Sequence, residues 1–106
     1  MTSLRVVTTK QADADINAAT DHYVAQGNTK AALGFVDTLE EAKTLLSKHP
    51  HLGSLRFAIE LNIAEIRAFT LQRFPYIIFY SLFADTIRIH RVLHTARDIP
   101  PRFLEN

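Results

Sequence analysis

The sequence contains no cysteine, which excludes a disulfide framework, a thiolate metal site and a thiol nucleophile together. That absence suits a reducing compartment. Glycine is scarce: Gly27, Gly34 and Gly53 stand far apart and make no phosphate-cradling loop. No stretch approaches the roughly 20 apolar residues that span a bilayer. The longest apolar run, Tyr76 to Tyr80 with Leu82 to Ala84 after Ser81, is strand-sized. The leading residues, Met1 to Val7, lack the apolar core of a signal peptide, so the expectation is a cytoplasmic chain with no membrane partner. His49 and His51 flank Pro50 at a metal-compatible spacing, but no third ligand stands near them. No metal and no other cofactor is therefore expected.

What is present fits a single folded domain over residues 1–106. The hydrophobic content of 47% is enough to build a core, which argues against disorder. The formal net charge is only +1, yet the charges are unevenly placed. All four lysines (Lys10, Lys30, Lys43, Lys48) lie in the first half, among Asp13, Asp15, Asp21, Asp37, Glu40 and Glu41. From Arg56 onward every basic residue is arginine. Arginine grips phosphate and carboxylate with a planar fork that lysine lacks, so the second half is where an anionic partner would dock. The competing reading is arginines lying along exposed strand faces with their heads in water.

Leu4 to Thr8 is short and β-branched, as a first strand would be. Thr8 or Thr9 can cap a helix whose stripe is Ala12, Ile16, Ala19, Tyr23 and Val24, with Gly27 as its stop. Asn28 or Thr29 caps a second helix at once, with a stripe of Ala32, Phe35, Val36, Leu39, Ala42 and Leu46, ended by Pro50. So short a link implies an antiparallel helical hairpin. Residues 51–62 read as a connecting loop. Three strand-like runs follow: Ile63 to Leu71, Tyr76 to Phe83 and Thr86 to His94, the last two joined by a tight turn at Ala84-Asp85. The middle run is apolar on both faces, as a covered central strand would be. In the last, Arg91 interrupts the parity shared by Ile87, Ile89 and Leu93, and a β-bulge near His90 to Val92 would reset it. The order β-α-α-β-β-β predicts an α+β domain, a helical hairpin packed on a mainly antiparallel sheet.

That layout resembles the RelE/ParE toxin superfamily, and the second half carries the resemblance. Ile66-Arg67 leads to Arg73-Phe74-Pro75-Tyr76-Ile77-Ile78-Phe79-Tyr80. Ile87-Arg88-Ile89, Arg91-Val92-Leu93-His94 and Arg97-Asp98 follow, and Pro50-His51-Leu52-Gly53 is similar to the family's turn after the second helix. The ParE-like pattern implies the toxin of a type II toxin–antitoxin (plasmid stabilisation) system, one that inhibits DNA gyrase and is neutralised by a ParD-like antitoxin. The alternatives are a RelE-type ribosome-dependent mRNA endoribonuclease and a non-toxic binding module of the same fold. Under the nuclease alternative, with the ribosome and mRNA as partners, Arg67 and Arg73 would hold phosphate and His94 would move a proton. A low net charge fits docking on ribosomal RNA poorly, because neutralising many phosphates needs many cations. The nucleases also commonly carry a tyrosine beyond the position of His94, and none follows here. Under the gyrase reading there are no catalytic residues, and Arg91, His94, Arg97 and Arg102 form the target-binding strand end.

The antitoxin surface is expected on the uncovered side of the sheet at Arg67, Tyr76, Ile78 and Tyr80, where an amphipathic segment with acidic flanks would meet apolar side chains and arginine. Arg67 alternatively pairs with Glu65 or Asp98. Tyr76, Phe79, Tyr80 and Phe83 are also of the type that stacks bases on RNA-binding sheets, although half of them are expected under the hairpin.

Overall fold

The computed structural model describes residues 3–100. β1 (Arg5–Thr8) leads into a hairpin of α1 (Lys10–Ala25) and α2 (Thr29–Lys48). After a short α3 (Arg56–Glu60) come β2 (Arg67–Thr70), β3 (Tyr76–Phe83) and β4 (Thr86–His94). The sheet order is β1-β4-β3-β2, with β1 parallel to β4 and the other pairs antiparallel. This is the expected α+β architecture. Among the described residues no helix is long and apolar enough to cross a membrane.

The helix ends are set by side chains that the sequence placed there. Thr9 caps α1 by accepting from the Ala12 amide, and Asn28 caps α2 by accepting from the Ala31 amide. Between the helices, Gly27 adopts φ +73. The Gly27 amide donates to the Val24 carbonyl and the Asn28 amide to the Tyr23 carbonyl. This is the paired closure of a helix C-terminus that a left-handed residue permits. Asn28 thus ends one helix and starts the next, which folds the hairpin back without a loop.

Alternation along each strand divides the sheet into two faces. Tyr76, Ile78 and Tyr80 of β3 and Ile87, Ile89 and Val92 of β4 face the hairpin, where Ala12 and Ala19 of α1 and Phe35, Leu39 and Leu46 of α2 bury them. On the opposite face, Ile77 and Phe79 are covered by Phe57 of α3 and by Ile99, beside Ile66 and Ala68. The bulge is present. Phe79 pairs with Arg91 and Tyr80 with Ile89, which leaves His90 as the extra residue on β4. The Thr9 hydroxyl donates to the His90 carbonyl and the Thr9 amide to the Ile89 carbonyl, which staples the start of α1 to the bulge.

Two expectations change here. Residues 51–62 are not a plain loop: α3 lies within them, and its Phe57 fills the second core. The run from Ile63 to Leu71 is strand only over Arg67–Thr70. Asn62 and Glu65 take left-handed φ values of 53 and 63, which breaks the extended backbone just before it.

Candidate functional site

The arginine-bearing end of β4 owes its geometry to the bulge. Without the extra residue, Arg91 would share the core-facing parity of Ile87 and Ile89. With it, Val92 enters the core and Arg91 turns out to meet α1. Asp15 of α1 accepts from Arg91 Nε at 2.7 Å and Nη2 at 3.0 Å, and from the Val92 amide at 3.0 Å. The hydrogen bonds that it donates to Asp15 are the leading reason that the Arg91 guanidinium holds its proton more tightly than usual.

Beyond β4 the chain turns around His94. Its Nδ1 accepts from the amides of Ala96 and Arg97, while the His94 amide donates to Asp98 Oδ2. An accepting Nδ1 places the ring proton on Nε2. Burial, then the Arg97 charge, push the imidazole below its ordinary pKa, with Asp98 acting the other way. The ring rests edge-on against Tyr76 with centroids 5.1 Å apart, and Arg97 Nη2 donates to Tyr76 Oη at 2.9 Å. Burial is the main cause that raises the Tyr76 phenol above its ordinary range. Beside this turn lies a cavity of about 370 Å³ whose lining includes Asp15, Tyr76, Arg91, Arg97 and Asp98. Two guanidiniums and two carboxylates nearly cancel there. Such a site suits the mixed charges of a protein surface better than a run of phosphates.

The structure therefore brings Arg91, His94 and Arg97 together; Arg102 lies outside the described residues. It does not bring together Arg67, Arg73 and His94. Arg67 Nη1 donates to the carbonyls of His51 and Gly53, at 3.1 and 2.7 Å. It clamps the turn that follows α2 rather than pairing with Glu65 or Asp98. Arg73 stands at φ +70 in the turn before β3.

The expected antitoxin contacts at Tyr76, Ile78 and Tyr80 are corrected more sharply. All three are at most 2% exposed, because their side of β3 is the one that the hairpin covers. The Tyr80 hydroxyl is itself an internal clamp, donating to the Pro50 carbonyl and accepting from the Gly53 amide.

An apolar surface open to solvent lies on the other face. A groove of about 450 Å³ runs past Phe57, Leu61, Ile63, Ile66, Leu93 and Ile99, and Ile59 of α3 stands beside these residues 90% exposed. The reading of residues 51–62 as a loop missed this wall. The available signal was Phe57 and Leu61, four apart and so on one side of a helical turn.

Asp15→Ala tests the α1–β4 tie. The Arg91 side chain is 42% exposed and can turn to water, so its loss of charge pairing is discounted. The Val92 amide belongs to a residue only 1% exposed, and leaving such a donor unsatisfied costs about 1–3 kcal/mol. Urea unfolding should show Asp15→Ala destabilised by about 2 kcal/mol and Arg91→Ala by under about 1 kcal/mol. Equal losses would mean that the amide contact is not what matters.

Comparison with known proteins agrees with this geometry. The family model for the ParE toxin of the type II toxin–antitoxin system parDE matches residues 6–99. No curated protein matches the sequence. Among solved structures, the chain is similar to one from the chromosomal ParDE toxin–antitoxin system of P. aeruginosa. The TM-score is 0.72 and the identity 26%, over 87% of this chain and 96% of that one. The chain belongs to the ParE toxin family of type II toxin–antitoxin systems.

Proposed function

We propose that this ParE-family toxin acts by binding and inhibiting DNA gyrase, and that a ParD-type antitoxin silences it. The observation that carries the reading is the commitment of the would-be nuclease residues to structure. The Arg67 guanidinium holds the His51 and Gly53 carbonyls, and His94 Nδ1 holds two turn amides. A nuclease needs cations and a proton carrier converging on one phosphate, and these side chains serve different parts of the fold. A toxin that traps another enzyme needs only a surface, and the polar end of β4, with Arg91, His94 and Arg97, supplies one of mixed charge. The antitoxin reading moves from the buried side of β3 to the apolar groove between α3 and β4. An amphipathic segment would lay its apolar side chains over Leu61, Ile63 and Ile99 there.

The test begins with induction of the chain without a partner, which should arrest growth. A culture that stays healthy while accumulating folded protein points instead to a non-toxic binding module. In a purified gyrase reaction the toxin should convert plasmid to the linear form. Codon-positioned cuts in translated mRNA, with gyrase cycling undisturbed, would overturn the proposal in favour of the ribosome. His94→Asn is the informative variant, since the asparagine oxygen can accept the two turn amides as Nδ1 does. Growth arrest should weaken only modestly, as loss of one contact among several on a binding surface does, whereas a nuclease that lost its proton carrier would slow by roughly 10²-fold or more.

A further inference from the structure

Of the four aromatic residues on β3 suited to base stacking, three have their rings in the molecule's own cores. Tyr76 and Tyr80 lie under the hairpin and Phe79 lies against Phe57. Phe83 does not: it is 75% exposed. Its neighbours are fixed by register. Leu82, Ile87 and Val6 pair across three strands and pack toward the hairpin. Their alternates therefore point to the opposite face. On that face Phe83 stands opposite Thr86, which stands opposite Arg5, and Arg88 sits between Ser81 and Val7. Phe83 thus has Arg88 on its diagonal, within reach of long side chains, and Arg5 one strand further on.

Arg5 and Arg88 are both exposed. Among the described residues, neither takes part in the ion pairs, which are Lys43–Glu40 and Arg91–Asp15. The nearby carboxylates form no ion pair with either: Asp85 accepts a hydrogen bond from the Thr86 hydroxyl, and Asp13 one from the Thr8 hydroxyl. The Ser81 hydroxyl and His90 Nε2 are hydrogen-bonded to each other at 2.7 Å. The atoms on offer are one aromatic face and two unpaired guanidiniums, on a sheet surface that α3 leaves uncovered at this end. An apolar partner would cover Phe83 but bury the arginines without counter-charge. A duplex hides its base faces and would leave the ring unused. A single strand presents stackable faces and phosphates side by side, and so satisfies both groups.

We propose that the open end of the sheet, formed by Phe83 with Arg5 and Arg88, binds single-stranded nucleic acid, with the phenyl ring stacked on a base and the guanidiniums on flanking phosphates. This site is separate from the polar end of β4, and its test requires no gyrase. Fluorescence anisotropy with the full chain and a labelled oligothymidylate of about a dozen nucleotides, within the span such surfaces occupy, reads it directly. Wild type should bind the single strand more tightly than a duplex of the same length. Phe83→Ala should weaken binding about 5- to 150-fold, the range for loss of one stacked base, and Phe83→Tyr should restore it. The double substitution Arg5→Ala/Arg88→Ala should flatten the log–log salt dependence by roughly 1.4, from two lost phosphate contacts on a single strand. An unchanged urea midpoint for Phe83→Ala, expected for so exposed a ring, shows that any loss is not unfolding. The proposal is overturned if wild type does not bind, if duplex binds better, or if Phe83→Ala binds as wild type does. Loss of antitoxin binding in Phe83→Ala with oligonucleotide binding unaffected would make this end a protein interface and also overturn it. Plasmid linearisation by gyrase alongside failed oligonucleotide binding would remove this proposal and leave the gyrase reading standing.

Discussion

Replacing Phe35 with alanine should destabilise the protein by about 3–5 kcal/mol, the usual cost of emptying a phenylalanine site in a packed core. Phe35 is fully buried at the centre of the α2 face. Its ring meets Tyr76 at 5.0 Å, Phe74 at 5.8 Å and Tyr23 at 6.1 Å between centroids. Those partners come from β3, the turn before it and α1, so one ring joins both helices of the hairpin to the sheet. Truncation would lose the transfer energy, leave a void that rigid neighbours fill poorly, and break three tilted or edge-on aromatic contacts. Against the 5–15 kcal/mol typical of a natural domain, that loss is between about a fifth and all of the total. Urea or thermal unfolding followed by near-ultraviolet circular dichroism would measure it, with Phe35→Leu as a milder control. A loss below about 1.5 kcal/mol for alanine would mean that the site collapses around the gap and that the aromatic junction is not rigid.

The second large effect is expected from a single methyl group. Gly53 has an ordinary backbone conformation, so its need for glycine is spatial. A Cβ there would lie 2.6 Å from Tyr80 Oη and 2.7 Å from its Cε1. The ring is completely buried and cannot retreat without breaking the bonds of its hydroxyl to the Gly53 amide and the Pro50 carbonyl. Overpacking of about 1–3 kcal/mol adds to the loss of two hydrogen bonds, one buried and one part-buried, worth about 1 kcal/mol each. Gly53→Ala should therefore cost about 3 kcal/mol or more. A double-mutant cycle with Tyr80→Phe distinguishes this cause from general intolerance of the turn. Removing the hydroxyl removes the nearest obstacle, so the double variant should lose at least about 1 kcal/mol less than the two single losses added together. Strict additivity would show that Tyr80 does not determine the fate of Gly53.

Most of the architecture was legible because local signals and the global fold agree. The threonine and asparagine caps, Gly27 at a left-handed position and Pro50 after α2 each state a boundary in chemical terms, and the boundaries fall where those residues stand. The bulge was legible for a different reason. An arginine placed at core parity between Ile89 and Leu93 is a conflict that one extra residue resolves, and His90 is that residue. Which side of β3 would be bare was not legible. A strand apolar on both faces does not say which face the helices take, so Tyr76, Ile78 and Tyr80 were assigned to a partner when they belong to the core. Nor could the sequence reveal that Arg67 would be held by backbone carbonyls of the turn after α2. Its partners are peptide oxygens, which every residue carries and no side-chain pattern marks. The short α3 was hidden because five residues give too little periodicity to tell a helical turn from a loop.

The Ser54–Ala68 bridge bears on how copies of the chain can meet one another. Ser54 both donates to and accepts from Ala68, at 2.9 and 2.8 Å, so the outer border of β2 is already paired at its centre by the chain itself. At the opposite border β1 is only four residues long, and its lead-in is tied down where the Leu4 amide donates to the Ser47 carbonyl. Long bare borders are what allow sheets to recruit one another into fibrils. With one margin sealed and the other short, copies of the chain that meet have little template for edge-to-edge growth.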